Sequence, residues 1–217
     1  PWGRRLREFI DDPAPTIALL DRLVDDPSAY VRKSVANHLN DISKDHPRLA
    51  VDTAARWLAV AEDPVSSGSS AQPGDPGRRK WIVSHGLRSL IKEGDPAALR
   101  LLGFDPDAEV SVTAFSVTPP RIAVGDAVTI SFALVAGQAT PVMVDYRIHH
   151  AGASGARSPK VFKLKRTVIE PGVETAFLRE HRIREVSVRR IHPGPHVIEI
   201  QVNGKVLGAA TVEVTRP

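Results

Sequence analysis

The chain has 217 residues, of which 42% are hydrophobic and 25% charged, a balance that suits one or two globular domains and excludes a disordered polymer. No apolar run approaches the ~20 residues that span a bilayer, and zero cysteines exclude disulfides, thiol nucleophiles and thiolate metal sites. The net charge of +4 is uneven: residues 1–108 carry 15 Lys/Arg against 16 Asp/Glu, and residues 109–217 carry 14 against 9. The basic second half invites an anionic partner, nucleic acid being the common case, although a solvated basic surface reads the same way.

No signal-peptide pattern opens the chain, and a cytoplasmic protein is expected. The first residue is Pro1 and a helical pattern is already running by Leu6 and Phe9, so a fragment of a longer chain is expected. Asp12-Pro13, Asp26-Pro27, His46-Pro47 and Asp95-Pro96 each precede a periodic run, with proline near a helix start. Ser28 is placed to cap a helix whose buried stripe is Val31, Val35, Leu39 and Ile42. Leu49, Val51, Ala54, Trp57 and Leu58 continue the period after Pro47. Residues 62–77 read as a polar loop. One helix is then expected from about Arg79 through Trp81, Ile82, Leu87 and Ile91 to a stop at Gly94, and a short one holds Leu99, Leu101 and Leu102. Antiparallel helices of this length suggest pairs stacked as a HEAT-like solenoid over residues 1–108.

From Val112 the period becomes two. Strands are expected over 112–118, 127–135, 142–149, 160–168, 173–182, 196–202 and 206–214, with Asn203-Gly204 as a hairpin turn. Gly152–Ser158 reads as a hairpin loop. Such a run without a helix indicates an immunoglobulin-like β-sandwich over residues 109–217, without the Cys–Trp–Cys signature of antibody domains. The fold class is therefore α + β, a helical solenoid fragment followed by an Ig-like sandwich.

The stretch VRKSVANHLNDISKDHP, residues 31–47, crowds Asn, Asp and His onto an amphipathic helix. Tyr30, Ser34, Asn37, Asp41 and Lys44 fall at steps of three or four and form a polar stripe beside the buried one. In a stacked solenoid that stripe points into the groove. Alternatively, Asp41 caps a neighbouring helix or pairs with Lys44 on the surface.

PWGRRLREFIDDP, DDPSAYVRKSVANHLNDISKDHP and WIVSHGLRSLIKEGDPAALRLLGF together resemble the HEAT-like-repeat DNA glycosylases of alkylation repair, the AlkC/AlkD type. SPKVFKLKRTVIEPG and RRIHPGPHVIEIQVNGK resemble the Ig-like domain of the AlkC branch. The likeness covers nearly the whole chain, as the C-terminal portion of a family that has further helical repeats upstream. It implies that Asp41 is the catalytic carboxylate and that Trp2 lines the lesion site. It also implies phosphate contacts from His85, Arg88 and Lys92, which share a helix face, with Asn37 and Lys44 beside Asp41 and Arg4 reaching the same groove. The alternative for His85, Arg88 and Lys92 is a solvated face, with Lys92 favoured by the helix dipole. Lys163 and Lys165 share one face of a strand, with Arg182, Arg184, Arg189 and Arg190 as a basic edge or loop. They are implied as a second DNA contact, or else guard an edge strand against aggregation.

His149, His150, His181, His192 and His196 invite a metal reading, but Pro193 and Pro195 forbid the helix that would join His192 to His196. No metal or cofactor is expected. The expected activity is excision of cationic alkylated bases, of the N3-methyladenine or N3-methylcytosine type, from duplex DNA by a monomer off the membrane. A non-catalytic DNA-binding or protein-interaction module is the alternative.

Overall fold

The computed structural model describes residues 6–62, 75–152, 159–185 and 190–216, and the chain divides into two compact units, ending at Leu102 and starting at Gly103. Trp2 and Arg4, most of the polar loop between 62 and 77, the hairpin loop from 153 to 158 and Arg189 lie outside the described residues. None of the described helices is long and apolar enough to cross a membrane.

The first unit is built from α1 (Arg7–Asp11), α2 (Ala14–Leu23), α3 (Ala29–Ile42), α4 (Pro47–Glu62), α5 (Pro76–Gly86), α6 (Arg88–Glu93) and α7 (Pro96–Leu101). The aspartates do the capping. Asp75 accepts from the Gly77 amide at 2.8 Å and Asp95 from the Ala98 amide at 2.8 Å, satisfying donors that a helix start leaves open. Ser28 stands at the start of α3 but accepts nothing through its side chain, contrary to expectation. Asp26 takes the Ser28 amide instead, at 2.7 Å, and so shapes the turn one step earlier. Gly94, at φ 84°, ends α6 in the left-handed conformation that glycine adopts without strain.

Val35, Leu39 and Ile42 are buried as the helical period requires, Val31 of the expected stripe is half-buried, and Ile82, Leu87 and Ile91 are buried as well. Arg79 is buried too. Its guanidinium pairs with Asp25 and donates to the Trp57 carbonyl at 2.8 Å, tying α5 to the α2–α3 turn and to α4. Trp81 departs from the expected apolar face and is 48% exposed.

The helix expected to run unbroken from Arg79 to Ile91 is two helices, interrupted at Leu87 (φ −96°, ψ 12°). The break lies against α3. Gly86 sits so close that an added Cβ would stand 2.8 Å from Leu39 Cδ2 and 3.4 Å from the Ala36 carbonyl oxygen.

The second unit is strand-rich: β1 (Val110–Thr118), β2 (Arg121–Ala123), β3 (Ala127–Ala136), β4 (Thr140–His149), β5 (Lys160–Ile169), β6 (Thr175–Arg182), β7 (Gly194–Val202) and β8 (Lys205–Thr215). One sheet has the order β1-β3-β6 and the other β2-β8-β7-β4-β5. Alternate residues of the inner strands fill the space between them, including Val128, Ile130, Phe132 and Leu134 of β3 with Val142, Val144, Tyr146 and Ile148 of β4. The period-two reading matches these strands to within about two residues, but it missed β2, three residues paired in parallel with the end of β8. Three residues are too few to show an alternation.

Asn203 and Gly204 turn the β7–β8 hairpin with φ of 45° and 86°. Asn203 is also buried. Its side chain accepts from the Met143 amide at 2.8 Å and donates to the Pro141 and Asp105 carbonyls at 3.1 and 2.9 Å. With Lys205–Asp107 at 2.9 Å and Arg166 stacked over Phe104, this attaches residues 104–107 to the strands. The change of unit therefore falls six residues before the 108/109 boundary that the change of period suggested. On the β4–β7 pair, burial alone would raise the carboxyl pKa of Glu199, but hydrogen bonds from His149 and Arg147, with their charges, hold it below the ordinary value.

Substituting Gly86→Ala tests the α3–α5 contact. Overpacking here should cost ~1–3 kcal/mol, outweighing the ~1 kcal/mol that alanine offers a helix. Denaturant titration should show a lower midpoint at unchanged slope, whereas a midpoint at or above wild type would mean the two helices are not pressed together there.

Candidate functional site

The polar residues of α3 divide by what they touch. Asn40 is buried, 2% exposed, and its Oδ1 accepts the Ser89 amide at 3.1 Å. Ser89 lies in the first turn of α6, where amides lack helical partners, so α3 caps α6 from outside. Asn40's own carbonyl accepts from the Ser43 hydroxyl at 2.9 Å. Asn37, half-buried, takes a hydrogen bond from His85 Nε2 at 3.2 Å. These two bonds form a polar seam between α3 and the α5–α6 corner, flanking the Gly86 contact.

Asp41 follows Asn40 and stands one turn beyond Asn37, on the solvent side of the seam. Its side chain is 65% exposed, and Lys44 meets it at 2.7 Å, one turn on. The surface pairing weighed from the sequence is present, yet the carboxylate is not buried by it. Exposed pairs of this kind contribute less than about 1 kcal/mol, so the lysine can be exchanged for another partner at little cost. His38, on the same stretch, is exposed and belongs to no part of the seam.

Across the seam, His85 stacks on Trp81 with ring centroids 5.0 Å apart and planes 7° from parallel. Arg88 is half-buried and donates to the His85 carbonyl at 2.8 Å, which fixes the end of α5. Lys92, one turn further along α6, is exposed while Leu90 and Ile91 beside it are buried. The structure thus brings together Asn37 and His85, with Arg88 held at the same corner, and Asp41 with Lys44. Asn40 and Ser89 were missed as a pair, because a contact 49 residues apart leaves no local signal.

In the second unit, Lys163 and Lys165 are exposed on β5, while Phe162 and Leu164 between and beside them pack on the core. β5 is an edge of its sheet. That position fits a strand protected by charge as well as a phosphate contact. Arg182 donates to the Gly125 carbonyl at 2.9 Å, and Arg184 and Arg190 are exposed. Among the histidines, His196 is buried, its Nε2 2.9 Å from the His192 carbonyl and its Nδ1 3.1 Å from His150 Nδ1. These are ring-to-ring and ring-to-backbone hydrogen bonds. No group of three or more His, Asp or Glu among the described residues could hold a metal ion.

The fold and the seam define a helical unit joined to an Ig-like domain. Residues 111–216 match the family described as "Uncharacterised protein YhaZ, C-terminal Ig-like domain". Over 214 residues the chain is 32% identical to the uncharacterized protein YhaZ of Bacillus subtilis (strain 168), covering 99% of this chain and 56% of that one. It superposes with a TM-score of 0.84 on the alkylpurine DNA glycosylase AlkC of Pseudomonas fluorescens bound to DNA containing an abasic site analog. The two are 40% identical over 99% of this chain and 56% of that one. The family likeness read from the sequence is borne out: in sequence and fold the chain is a relative of AlkC, and it spans about half the length of both proteins.

The Asn40–Ser89 bond is testable by itself. Asn40→Ala leaves a buried amide without an acceptor, a loss of ~1–3 kcal/mol. The thermal midpoint should fall, and the Ser89 amide should exchange with solvent markedly faster. Unchanged exchange at Ser89 would show that the cap does not come from α3.

Proposed function

We infer that the chain is part of a DNA repair glycosylase that excises cationic alkylated bases, of the N3-methyladenine or N3-methylcytosine type, from duplex DNA by hydrolysing the N-glycosidic bond. The observation that carries this reading is the exposed carboxylate of Asp41 beside the α3–α6 seam, in a chain 40% identical to an alkylpurine DNA glycosylase. In this reading the helices continue a HEAT-like solenoid whose groove α3 lines.

Alkylation at a ring nitrogen makes the base cationic, so the electrons of the breaking C1′–N bond flow to a good leaving group that departs neutral. No strong acid is needed to protonate it. As the bond breaks, positive charge develops on the deoxyribose, and a fixed anion beside it lowers the barrier. At ~4 Å and an effective dielectric of ~20, one unit charge contributes about 4 kcal/mol, roughly a thousandfold in rate. Water then adds to C1′, and its proton passes to the carboxylate or to solvent. Trp2, assigned to the lesion site by family likeness, attracts the cationic base through its ring face, ~0.5–2 kcal/mol. A neutral base gains less from that ring and is a poorer leaving group, so selection follows charge.

Lys44 shifts from Asp41 to a phosphate as DNA enters. His85, Arg88, Lys92, Asn37 and Arg4 contact the strand around the lesion, and Lys163 and Lys165 supply a second contact from the Ig-like unit.

The test uses the full-length protein and DNA treated with a methylating agent. Release of N3-methyl bases should fall at least a hundredfold in Asp41→Asn while DNA affinity stays near wild type. Equal release by the two proteins would remove Asp41 from the mechanism. Salt-dependent binding without any release would leave a DNA-binding module.

A further inference from the structure

Further along α3 from Asp41, toward its start, is a cavity of about 310 Å³ lined by Ala29, Arg32, Asp75, Gly77, Arg78 and Trp81. Two guanidinium groups from different helices line it. Arg32 donates to the Asp26 and Pro27 carbonyls at 2.6 and 2.8 Å, and no carboxylate among the described residues pairs with it. Arg78 is about half exposed and meets Asp75 at 3.4 Å. Asp75 is in turn engaged by the Gly77 amide at 2.8 Å, leaving the lining with more positive than negative charge. Trp81 supplies an apolar wall, 48% exposed, where a helix would normally bury it.

Trp81 stacks on His85, His85 bonds Asn37, and Asn37 lies one turn from Asp41, so the cavity and the carboxylate share one rigid path.

The geometry points to this cavity as a second strand-binding site, which takes a backbone phosphate between Arg32 and Arg78 with its deoxyribose against Trp81. The assignment rests on the glycosylase reading and adds to it a contact remote from the chemistry. Planar guanidinium groups suit phosphate, and an indole edge suits the apolar face of a sugar.

Binding of unmodified duplex DNA by the full-length protein, measured across salt concentrations, tests the site. Arg78→Gln, an exposed position with only a local ion pair, should weaken binding roughly threefold to tenfold at ~0.1 M salt and reduce the salt slope by about 1. Arg32→Gln should act in the same direction, but Arg32 also holds the α2–α3 turn. Ala29→Asp therefore serves as the second variant: an acid in the first turn of α3 favours the helix while placing negative charge in the cavity. It should weaken binding at least as much as Arg78→Gln, and single-turnover base release at saturating protein should stay at the wild-type rate for both. Arg78→Gln and Ala29→Asp proteins that match a DNA-binding wild type in affinity and slope would overturn this site alone. A wild type that fails to bind DNA would overturn it together with the glycosylase reading.

Discussion

A single amide, the side chain of Asn40, sets the arrangement of the helical unit around its candidate site. Buried on α3, it accepts the Ser89 amide at the point where the chain leaves α5 and starts α6. A buried amide that lost this partner would carry the desolvation cost of its carbonyl, and Ser89 would lose its acceptor, so neither helix can slide without penalty. Gly86 allows the backbones to approach within that bond's reach, and the Asn37–His85 bond fixes the rotation of α5 about the contact. Asp41, the residue after Asn40, is carried by this framework while its own charge stays in solvent.

That division of labour suits catalysis by a fixed charge. The neutral amides of Asn37 and Asn40 hold the position, and they do so without neutralising the carboxylate. Among the described residues Asp41 pairs with Lys44, and that pairing is exposed and weak enough to be exchanged. An anion whose position is fixed in advance stabilises developing positive charge without having to reorganise when the charge appears. The same seam runs through His85 to Trp81 and links the carboxylate to the arginine-lined cavity nearer the start of α3.

Much of this was legible in the sequence because it is local. Asp95 caps as its place before proline suggests, Val35, Leu39 and Ile42 of the α3 stripe are buried, and the period-two strands from Val112 pair as two sheets, whereas Asp75, read as part of a polar loop, caps a helix that starts at Pro76. Asn203-Gly204 is the turn it resembles. What stayed hidden is non-local. The break at Leu87 has no proline to announce it, and it lies where Gly86 packs on Leu39 and the Ser89 amide bonds Asn40, a residue far away in sequence. Asn40 reads as one more polar residue in a row, and only the fold separates it from Asp41. Ser28 looks like a cap, yet its side chain accepts no helix amide, and Asp26 two residues earlier accepts the amide of Ser28 itself. Trp81 has the composition of a core residue and turns outward to stack on His85. Arg79 reads as a helix-surface charge, and the Asp25 partner that lets it be buried is 54 residues away.

The measurement closest to the centre of this account is single-turnover release of a cationic base by full-length Asn40→Ala protein, under conditions where it remains folded. The substitution leaves the Asp41 charge intact and loosens only the framework behind it. Displacing a catalytic group by ~1 Å can cost about a hundredfold, so release should slow by at least tenfold while affinity for DNA holds. Release at the wild-type rate, in a protein whose Ser89 amide has demonstrably lost its partner, would contradict the claim that the seam positions the carboxylate.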